Sequence, residues 1–330
     1  MSCPRVPPRL HFYLARAAPV GLLLRRGPTE WVRLIGWNTE DDTFEPGAWF
    51  RGRIYAEKCD LSPDGRLFVY FAAKFGRGGW AEPDAFYREV LEQAAASVRR
   101  RGSRVEVAGP PEGAAAAVMD DGYGEAWTAV SRPPWLYAHA LWPQGTTYNG
   151  GGSFLGNDQL LLHAGYLLPK AHPQHRPPRA LRIETSPDLP TDFRSVLRRR
   201  LTASGWRFSP HPGGLVARAL NTAFAGTPGP FPAVKPHPQA RYALELHDNP
   251  QELFPQSARF FLRCDPDEPE PLQVEWADWD HRGRLVYTAE GRLWAREVRN
   301  GALQPPRELY DFRDMQPDPV PPPEWATRWG

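Results

Sequence analysis

A tight turn followed by an apolar strand occurs twice in this sequence, and it limits the fold more than any other feature. Residues 60–70 read DLSPDGRLFVY and residues 280–287 read DHRGRLVY. In the first copy Pro63 presets the φ angle of the second turn position, and Gly65 can adopt the positive φ that a β-carbon disfavours. The nearly continuous apolar run after Gly65 is typical of a strand buried on both faces. Diverged units of this kind are common in radial β architectures.

The rest of the chain also favours short strands. Four N-terminal segments are rich in β-formers and are bounded by turns: residues 10–16, 20–26, 31–37 and 43–55. A Pro-Gly turn at Pro46 is predicted to break the last of them. Weaker copies of the turn-and-strand unit occur at residues 152–163 and 203–218. The 38 Pro and 29 Gly residues in a chain of 330 argue against long helices, so the sequence predicts an all-β protein.

The SPDG turn at residues 62–65 resembles the turn of TolB-type and WD40-like β-propeller repeats, and the DHRG turn at residues 280–283 resembles it with the Ser-Pro lost. In those families the turn joins two inner strands of a four-stranded blade. The resemblance implies a β-propeller and no particular activity, since fold does not imply function. With about 40–50 residues per blade, the roughly 280 residues outside one insertion predict five to seven four-stranded blades. A pair of β-sandwiches is the alternative architecture.

The sequence predicts one propeller domain with two additions. The domain covers residues 1–314, and a helical insertion interrupts it at residues 75–122. Residues 83–101 carry apolar side chains near the 3.6-residue spacing of a helix, with acids early and Arg in the last turn. Residues 315–330 form a Pro-rich tail that favours the polyproline conformation. Its two Trp residues, Trp325 and Trp329, predict that the tail packs onto another surface.

A cluster of aromatic residues is the candidate binding site: Trp135, Tyr137, Trp142 and Tyr148. Tyr and Trp are enriched among the residues that dominate binding energy at protein interfaces. They also dominate protein cores, which is the alternative interpretation of the same residues. We expect at least one of the four to be exposed and to bind another protein.

Scattered acids and histidines leave an enzymatic alternative open. The candidates are Asp60, Asp64, Asp278, Asp280, His139, His163 and His281. Asp at turns ordinarily bonds backbone amides, and this is the structural interpretation of the four acids. A hydrolase or lyase site at the mouth of the propeller would require three or more of the seven to converge in one pocket. The sequence contains no G-x-S-x-G motif of a serine hydrolase.

Metal and nucleic-acid binding are weakly supported by the residues. His172 and His175 share a loop but have no acid or Cys nearby to complete a zinc site, so no metal and no cofactor are predicted. Three Arg-rich stretches could contact phosphates: Arg25 with Arg26, Arg99–Arg101 with Arg104, and Arg198–Arg200. The formal net charge of +2 is too balanced to require nucleic acid, and solvated faces explain these stretches.

The compartment follows from the Cys residues and from hydropathy. Cys3, Cys59 and Cys264 are widely spaced and odd in number, which favours a reducing compartment. The sequence contains no run of 18 apolar residues, so no membrane-spanning helix is predicted. We therefore expect a cytoplasmic, non-enzymatic interaction module of propeller type. Its partner is expected to be another protein rather than nucleic acid or a membrane.

Overall fold

The predicted propeller is present and has five blades. A computed structural model describes residues 6–27, 30–74, 125–144, 147, 150–163, 170–185, 193–208, 232–247 and 259–329. Within these residues, five small sheets follow one another along the chain in a five-blade propeller arrangement. This confirms the predicted fold class at the lower end of the predicted blade number. The predicted insertion at residues 75–122 lies outside the described residues.

Blade 1 is an antiparallel meander in which each strand pairs with the next. Its strands are β1 (Arg9–Leu14), β2 (Val20–Arg26), β3 (Trp31–Asn38) and β4 (Thr43–Arg51). The prediction that Pro46 breaks the last strand was wrong. Pro46 lies inside β4 at the edge of the sheet, where a residue without an N–H is tolerated, and the register shifts next to it.

Blade 2 is built around the strand that follows the SPDG turn. Its strands are β5 (Arg53–Ile54), β6 (Asp60–Leu61), β7 (Phe68–Lys74), β8 (Glu125–Ser131) and β9 (Ala140–Gln144). A single 3-10 turn, Ala56–Lys58, joins β5 to β6. The first six residues of β7 are buried, as predicted for a strand covered on both faces.

Blades 3 and 4, like the five-stranded blade 2, depart from the predicted four strands. Blade 3 has three: β10 (Gly152–Gly156), β11 (Gln159–Leu162) and β12 (Arg182–Thr185), the last of which runs parallel to β11. Blade 4 has five: β13 (Arg207–Phe208), β14 (Pro232–Pro236), β15 (Tyr242–His247), β16 (Arg259–Cys264) and β17 (Glu270–Leu272).

Blade 5 contains the second copy of the turn. Its strands are β18 (Trp276–Trp279), β19 (Leu285–Ala289), β20 (Arg292–Arg296) and β23 (Arg307–Asp311). A small hairpin precedes β23 and consists of β21 (Val298–Arg299) and β22 (Ala302–Leu303).

Two helices accompany the blades in the described part of the chain. Helix α1 (Phe193–Ala203) lies between blades 3 and 4 and was not predicted. Its Val196 is buried, and Arg200 from its last turn reaches toward the start of blade 2. Helix α2 (Glu324–Thr327) is one turn in the C-terminal tail, where Ala326 is fully buried.

The two predicted turns share one geometry. Gly65 and Gly283 have φ of +75° and +71°, so both use the backbone freedom that the sequence implied. The Gly65 N–H donates to the Ser62 carbonyl over 2.9 Å, and the Gly283 N–H donates in the same way to Asp280 over 2.9 Å. Side chains complete each turn, because Ser62 Oγ accepts from the Leu67 N–H and the Asp280 carboxylate accepts from the Arg284 N–H. The turn residues are therefore structural.

Apolar cores fill the spaces between blades. Neighbouring residues of β1 face opposite sides of the sheet, so Tyr13 packs toward blade 2 whereas Phe12 packs toward blade 5. Phe12 stacks on Trp276 of blade 5 with ring centroids 4.9 Å apart. Blade 1 therefore contributes to two cores and joins the beginning of the chain to its last blade.

An ionic cluster closes the ring between blades 5 and 1. The Arg284 side chain, only 3% exposed, donates to both carboxylate oxygens of Asp42 at 2.8 Å and to Asp280 Oδ2 at 2.8 Å. Arg284 also donates to the Thr39 carbonyl over 3.0 Å. Arg307 adds a further bond to Asp42 over 2.7 Å. Among the described residues no strand is exchanged between the two blades, so the side-chain contacts described above hold them together there.

We predict that Arg284→Met lowers the free energy of unfolding by about 3–5 kcal/mol, because it leaves the buried Asp280 without its counter-ion and leaves Asp42 paired with Arg307 alone. Arg299→Met is the matched control. Its pair with Glu297 is exposed, and an exposed pair contributes only about 0–1 kcal/mol. Chemical denaturation followed by circular dichroism measures both. Equal effects of the two substitutions would contradict the role of Arg284 in ring closure.

The same cluster predicts a loss of stability in acid. Burial alone would raise the pKa of Asp42, but hydrogen bonds from Arg284 and Arg307 outweigh it and lower the pKa to about 2. A carboxyl group with a depressed pKa stabilises the fold above its unfolded pKa and loses this contribution as the pH falls through the folded value. Allowing for solvent screening, we expect Asp42→Asn to cost about 1–2 kcal/mol at pH 7 through this effect. This part of the difference from wild type should disappear between pH 4 and pH 2, and a pH-independent difference would contradict it.

Candidate functional site

A cavity of about 380 Å³ lies where the first strands of several blades approach one another. Its wall is formed by residues 12–16 at the end of β1, by Asp60 of β6, by residues 200–205 at the end of α1, by Lys235 of β14 and by residues 276–281 of blade 5. Blades 1, 2, 4 and 5 therefore all contribute. The volume lies within the range of small-molecule pockets, about 300–1,000 Å³.

Four of the seven candidate acids and histidines line this central cavity: Asp60, Asp278, Asp280 and His281. The convergence that the enzymatic alternative required is thus present. Three of the four already contact another polar side chain. Asp278 accepts from Lys235 Nζ over 2.5 Å, Asp280 holds Arg284, and His281 Nδ1 lies 2.5 Å from Thr39 Oγ1.

The fourth group, Asp60, is the most unusual in the cavity. Its side chain is buried, and its Oδ2 accepts the Phe154 N–H of blade 3 over 2.8 Å. Burial raises the pKa of Asp60, although the Phe154 amide and the charges of Arg16 and Arg200 act in the opposite direction. A carboxyl group with a raised pKa in a cavity is a recognised mark of a functional position.

Two arginines of the cavity were missed by the sequence analysis. Arg16 Nη2 donates to the Phe154 carbonyl over 2.7 Å, and Arg200 Nη1 donates to the carbonyls of Ala56 and Cys59 over 2.9 and 3.0 Å. Arg200 also lies over the Tyr13 ring at 5.0 Å. Its assignment to a solvated face was wrong, because the end of α1 turns this side chain toward the propeller. The Arg198–Arg200 stretch marks Arg200 only as part of a basic run, and no local pattern in the sequence places Arg16 or Arg200 in a cavity.

The remaining candidate acid and histidines lie elsewhere. Asp64 accepts from Ser62 Oγ and from Arg66 within its own turn. His163 pairs with Ser153, and burial with nearby cationic groups lowers the pKa of His163 to about 3. His139 contacts the C-terminal tail through the Ala326 carbonyl. These three residues have structural partners outside the cavity.

The predicted aromatic binding site is divided by the fold. Trp135 and Trp142 are 7% and 3% exposed, so both pack into the protein. Tyr137 lies between β8 and β9 and is 40% exposed. Tyr148 lies outside the described residues. The burial of the two Trp residues corresponds to the core interpretation, whereas the exposure of Tyr137 keeps the binding interpretation open for that residue.

The C-terminal tail packs beside Tyr137 and forms a surface that we call the tail patch: Arg132, Tyr137, His139, Trp325 and Trp329. The His139 ring lies 5.3 Å from the ring of Tyr137 and 5.5 Å from that of Trp329. Arg132 donates to the Trp325 carbonyl over 2.7 Å and also lies over its ring at 5.2 Å. Trp329 packs against the core between blades 2 and 3. The tail therefore folds onto its own chain, and Trp325 stays 42% exposed.

The Arg-rich stretches do not behave as one basic surface in the described part of the chain. Arg25 is buried and donates to the carbonyls of Phe312 and Arg313. Arg200 faces the central cavity, whereas Arg198 is exposed and lies over the Phe208 ring. Residues 99–104 lie outside the described residues.

The described residues contain neither a metal-binding cluster nor a membrane-spanning helix. No group of three or more His, Cys, Asp or Glu side chains there has the geometry to hold a metal ion. None of the described helices is both long enough and apolar enough to span a membrane.

Comparison with known proteins does not assign this chain to a family. The sequence matches no protein-family model and no curated protein at a significant level. Among solved structures, one similar chain is an acylaminoacyl peptidase from Pyrococcus horikoshii, with a TM-score of 0.35 and 9% sequence identity. The alignment covers 93% of this chain and 45% of that chain, so this protein spans less than half the length of the peptidase. A similarity at this level carries no argument about activity.

We predict opposite effects for two substitutions of Asp60. Asp60→Asn keeps an acceptor for the Phe154 N–H and removes a charge that burial disfavours. A raised pKa means that Asp60 contributes most to stability below its unfolded pKa and less as the pH rises, so the Asn variant should gain stability relative to wild type between pH 4 and pH 8. Asp60→Ala leaves the buried N–H without an acceptor and should cost about 1–3 kcal/mol.

Urea denaturation of the wild type and both variants across this pH range provides the measurement. An Asn variant whose stability relative to wild type does not change with pH would show that Asp60 is not an unfavourable buried charge.

Proposed function

We propose that this propeller is a non-enzymatic protein-interaction module that binds its partner through the tail patch. One observation carries the proposal: Tyr137 and Trp325 are large aromatic side chains that are both substantially exposed. Contacts of Tyr137 with His139 and of Trp325 with Arg132 hold the two residues in the tail patch. Exposed Tyr and Trp with a neighbouring Arg are the residue types that most often dominate interface energetics. The partner is expected to place apolar side chains against these two rings.

The tail patch is held in place before a partner arrives, and this supports the proposal. Arg132 fixes the tail through the carbonyls of Trp325 and Arg328, and His139 fixes it through the Ala326 carbonyl. Ala326 itself is fully buried. A surface that is already ordered loses less conformational entropy on binding, so more of its contact energy remains as affinity.

A hydrolase or lyase at the central cavity is the second candidate, because four of the candidate acids and histidines line it. General acid–base catalysis needs side chains that can exchange a proton with a substrate. Asp278 and Asp280 are held in ion pairs, which leaves Asp60 as the carboxyl group able to do this. Loss of a measured hydrolytic activity in Asp60→Asn, with the fold retained, would move the assignment to this candidate.

Two further parts of the proposal concern location and ancestry. A reducing, cytoplasmic location rests on the free thiols of Cys59 and Cys264. A relationship to TolB-type and WD40-like repeat proteins rests on the shared geometry of the Gly65 and Gly283 turns.

We predict that Tyr137→Ser weakens binding of the cellular partner at least about tenfold, since truncating a dominant interface aromatic ordinarily costs 2 kcal/mol or more. The partner is captured with the wild-type protein from the source cells and identified. Its affinity for each purified variant is then measured by calorimetry. Trp325→Ser should act in the same direction.

Leu155→Ser is the matched control, because Leu155 is an apolar side chain on β10 that is 52% exposed and does not belong to the tail patch. It should bind the partner as the wild type does. Failure to capture any stable partner, or equal affinity of the Tyr137→Ser and Leu155→Ser variants, would overturn the proposal.

A further inference from the structure

Most charges around the central cavity are already neutralised by neighbours. Asp278 is paired with Lys235, and both side chains are largely buried. Asp280 is paired with Arg284, which belongs to the ring-closing cluster. These four groups form complete ion pairs, so none of them is available to attract a charged ligand.

Two guanidinium groups remain, with one carboxyl group between their anchor points. Arg16 is fixed by the Phe154 carbonyl, and the backbone N–H of Phe154 donates to the Asp60 carboxylate. Arg200 is fixed by the carbonyl of Cys59, the residue before Asp60. Each guanidinium has five N–H donors, and each uses a single nitrogen in these bonds. Apart from these ion pairs, the described wall of the cavity therefore holds two guanidinium groups beside one carboxyl group, an arrangement that favours an anionic ligand.

Aromatic side chains also line the cavity. Phe12 and Trp276 line it and stack on each other. Trp279 also lines it, and its indole N–H donates to the Lys235 carbonyl over 3.0 Å, which fixes the ring. A pocket with apolar walls and a few fixed polar groups is typical of a small-molecule site.

We propose that the central cavity binds a small organic anion, with its carboxylate or phosphate held by Arg16 and Arg200 and its apolar part against the aromatic wall. Planar guanidinium groups match the geometry of both kinds of anion through paired N–H bonds. Fixed arginines reduce the entropic cost of binding. The inference does not depend on the tail patch, which involves other residues.

The test uses three matched probes and the full-length protein: benzoate, phenyl phosphate and neutral benzamide. Isothermal titration should show binding of at least one of the two anions with a dissociation constant below about 1 mM, whereas benzamide should bind at least about tenfold more weakly. Phenyl phosphate binding more tightly than benzoate would identify a phosphate site, and the reverse order would identify a carboxylate site.

Variants locate the binding to the cavity. Arg200→Gln should lower the affinity at least about tenfold, since hydrogen bonds between charged groups are the strong ones. Arg198→Gln is the control, because it removes the same charge from an exposed position of α1. Ser204→Trp fills the cavity and keeps both arginines, so it should abolish binding even if Arg200→Gln disturbs the end of α1.

Three results would overturn the inference. The first is that neither anion binds below about 1 mM. The second is that benzamide binds as well as benzoate, which would show that the charge is not recognised. The third is an unchanged affinity in the Ser204→Trp variant, which would place the bound anion outside the cavity.

Discussion

The bond between Arg284 and Asp42 is the interaction on which the closed ring depends. In the described part of the chain each blade is built from strands that follow one another in sequence, and no strand is shared between blades 5 and 1. A buried guanidinium between two carboxylates, together with the core around Phe12, has to supply that closure. Removing one partner of a buried ion pair lowers the stability of the fold, because the remaining charge is buried without a counter-ion and without water. The position of blade 5 against blade 1 therefore depends on this ionic cluster and on the apolar core around Phe12.

The central cavity is a consequence of ring closure. Its walls come from blades 1, 2, 4 and 5, and no single blade carries enough of them to form a site. Backbone hydrogen bonds fix polar side chains of the cavity. The Phe154 N–H donates to Asp60, and the Phe154 carbonyl accepts from Arg16. A stable ring therefore positions the cavity residues, and the tail patch is positioned separately, by the packing of the C-terminal tail on blades 2 and 3.

Part of this could be predicted from sequence. The strand after the SPDG turn, the Gly65 conformation and the propeller class all follow from local turn chemistry and apolar runs. Helix α1 was missed, and the sequence left both the core and the binding interpretation open for the aromatic cluster, in which Trp142 is buried and Tyr137 is exposed. Tyr and Trp are common both in protein cores and at binding surfaces, so their presence in a sequence does not distinguish the two. Whether such a side chain is buried depends on which strands lie beside it.

The two turns show where sequence stops and tertiary structure begins. In both, the sequence determined the backbone, because Gly at the position of Gly65 and Gly283 allows positive φ and a short polar side chain closes the loop. The residue that follows the Gly is Arg in each copy, yet the Arg66 side chain is 69% exposed and that of Arg284 is 3% exposed. Only the approach of blade 5 to blade 1 decides this difference. Local propensity fixes dihedral angles, whereas the burial and the partner of a long side chain depend on residues more than 200 positions away.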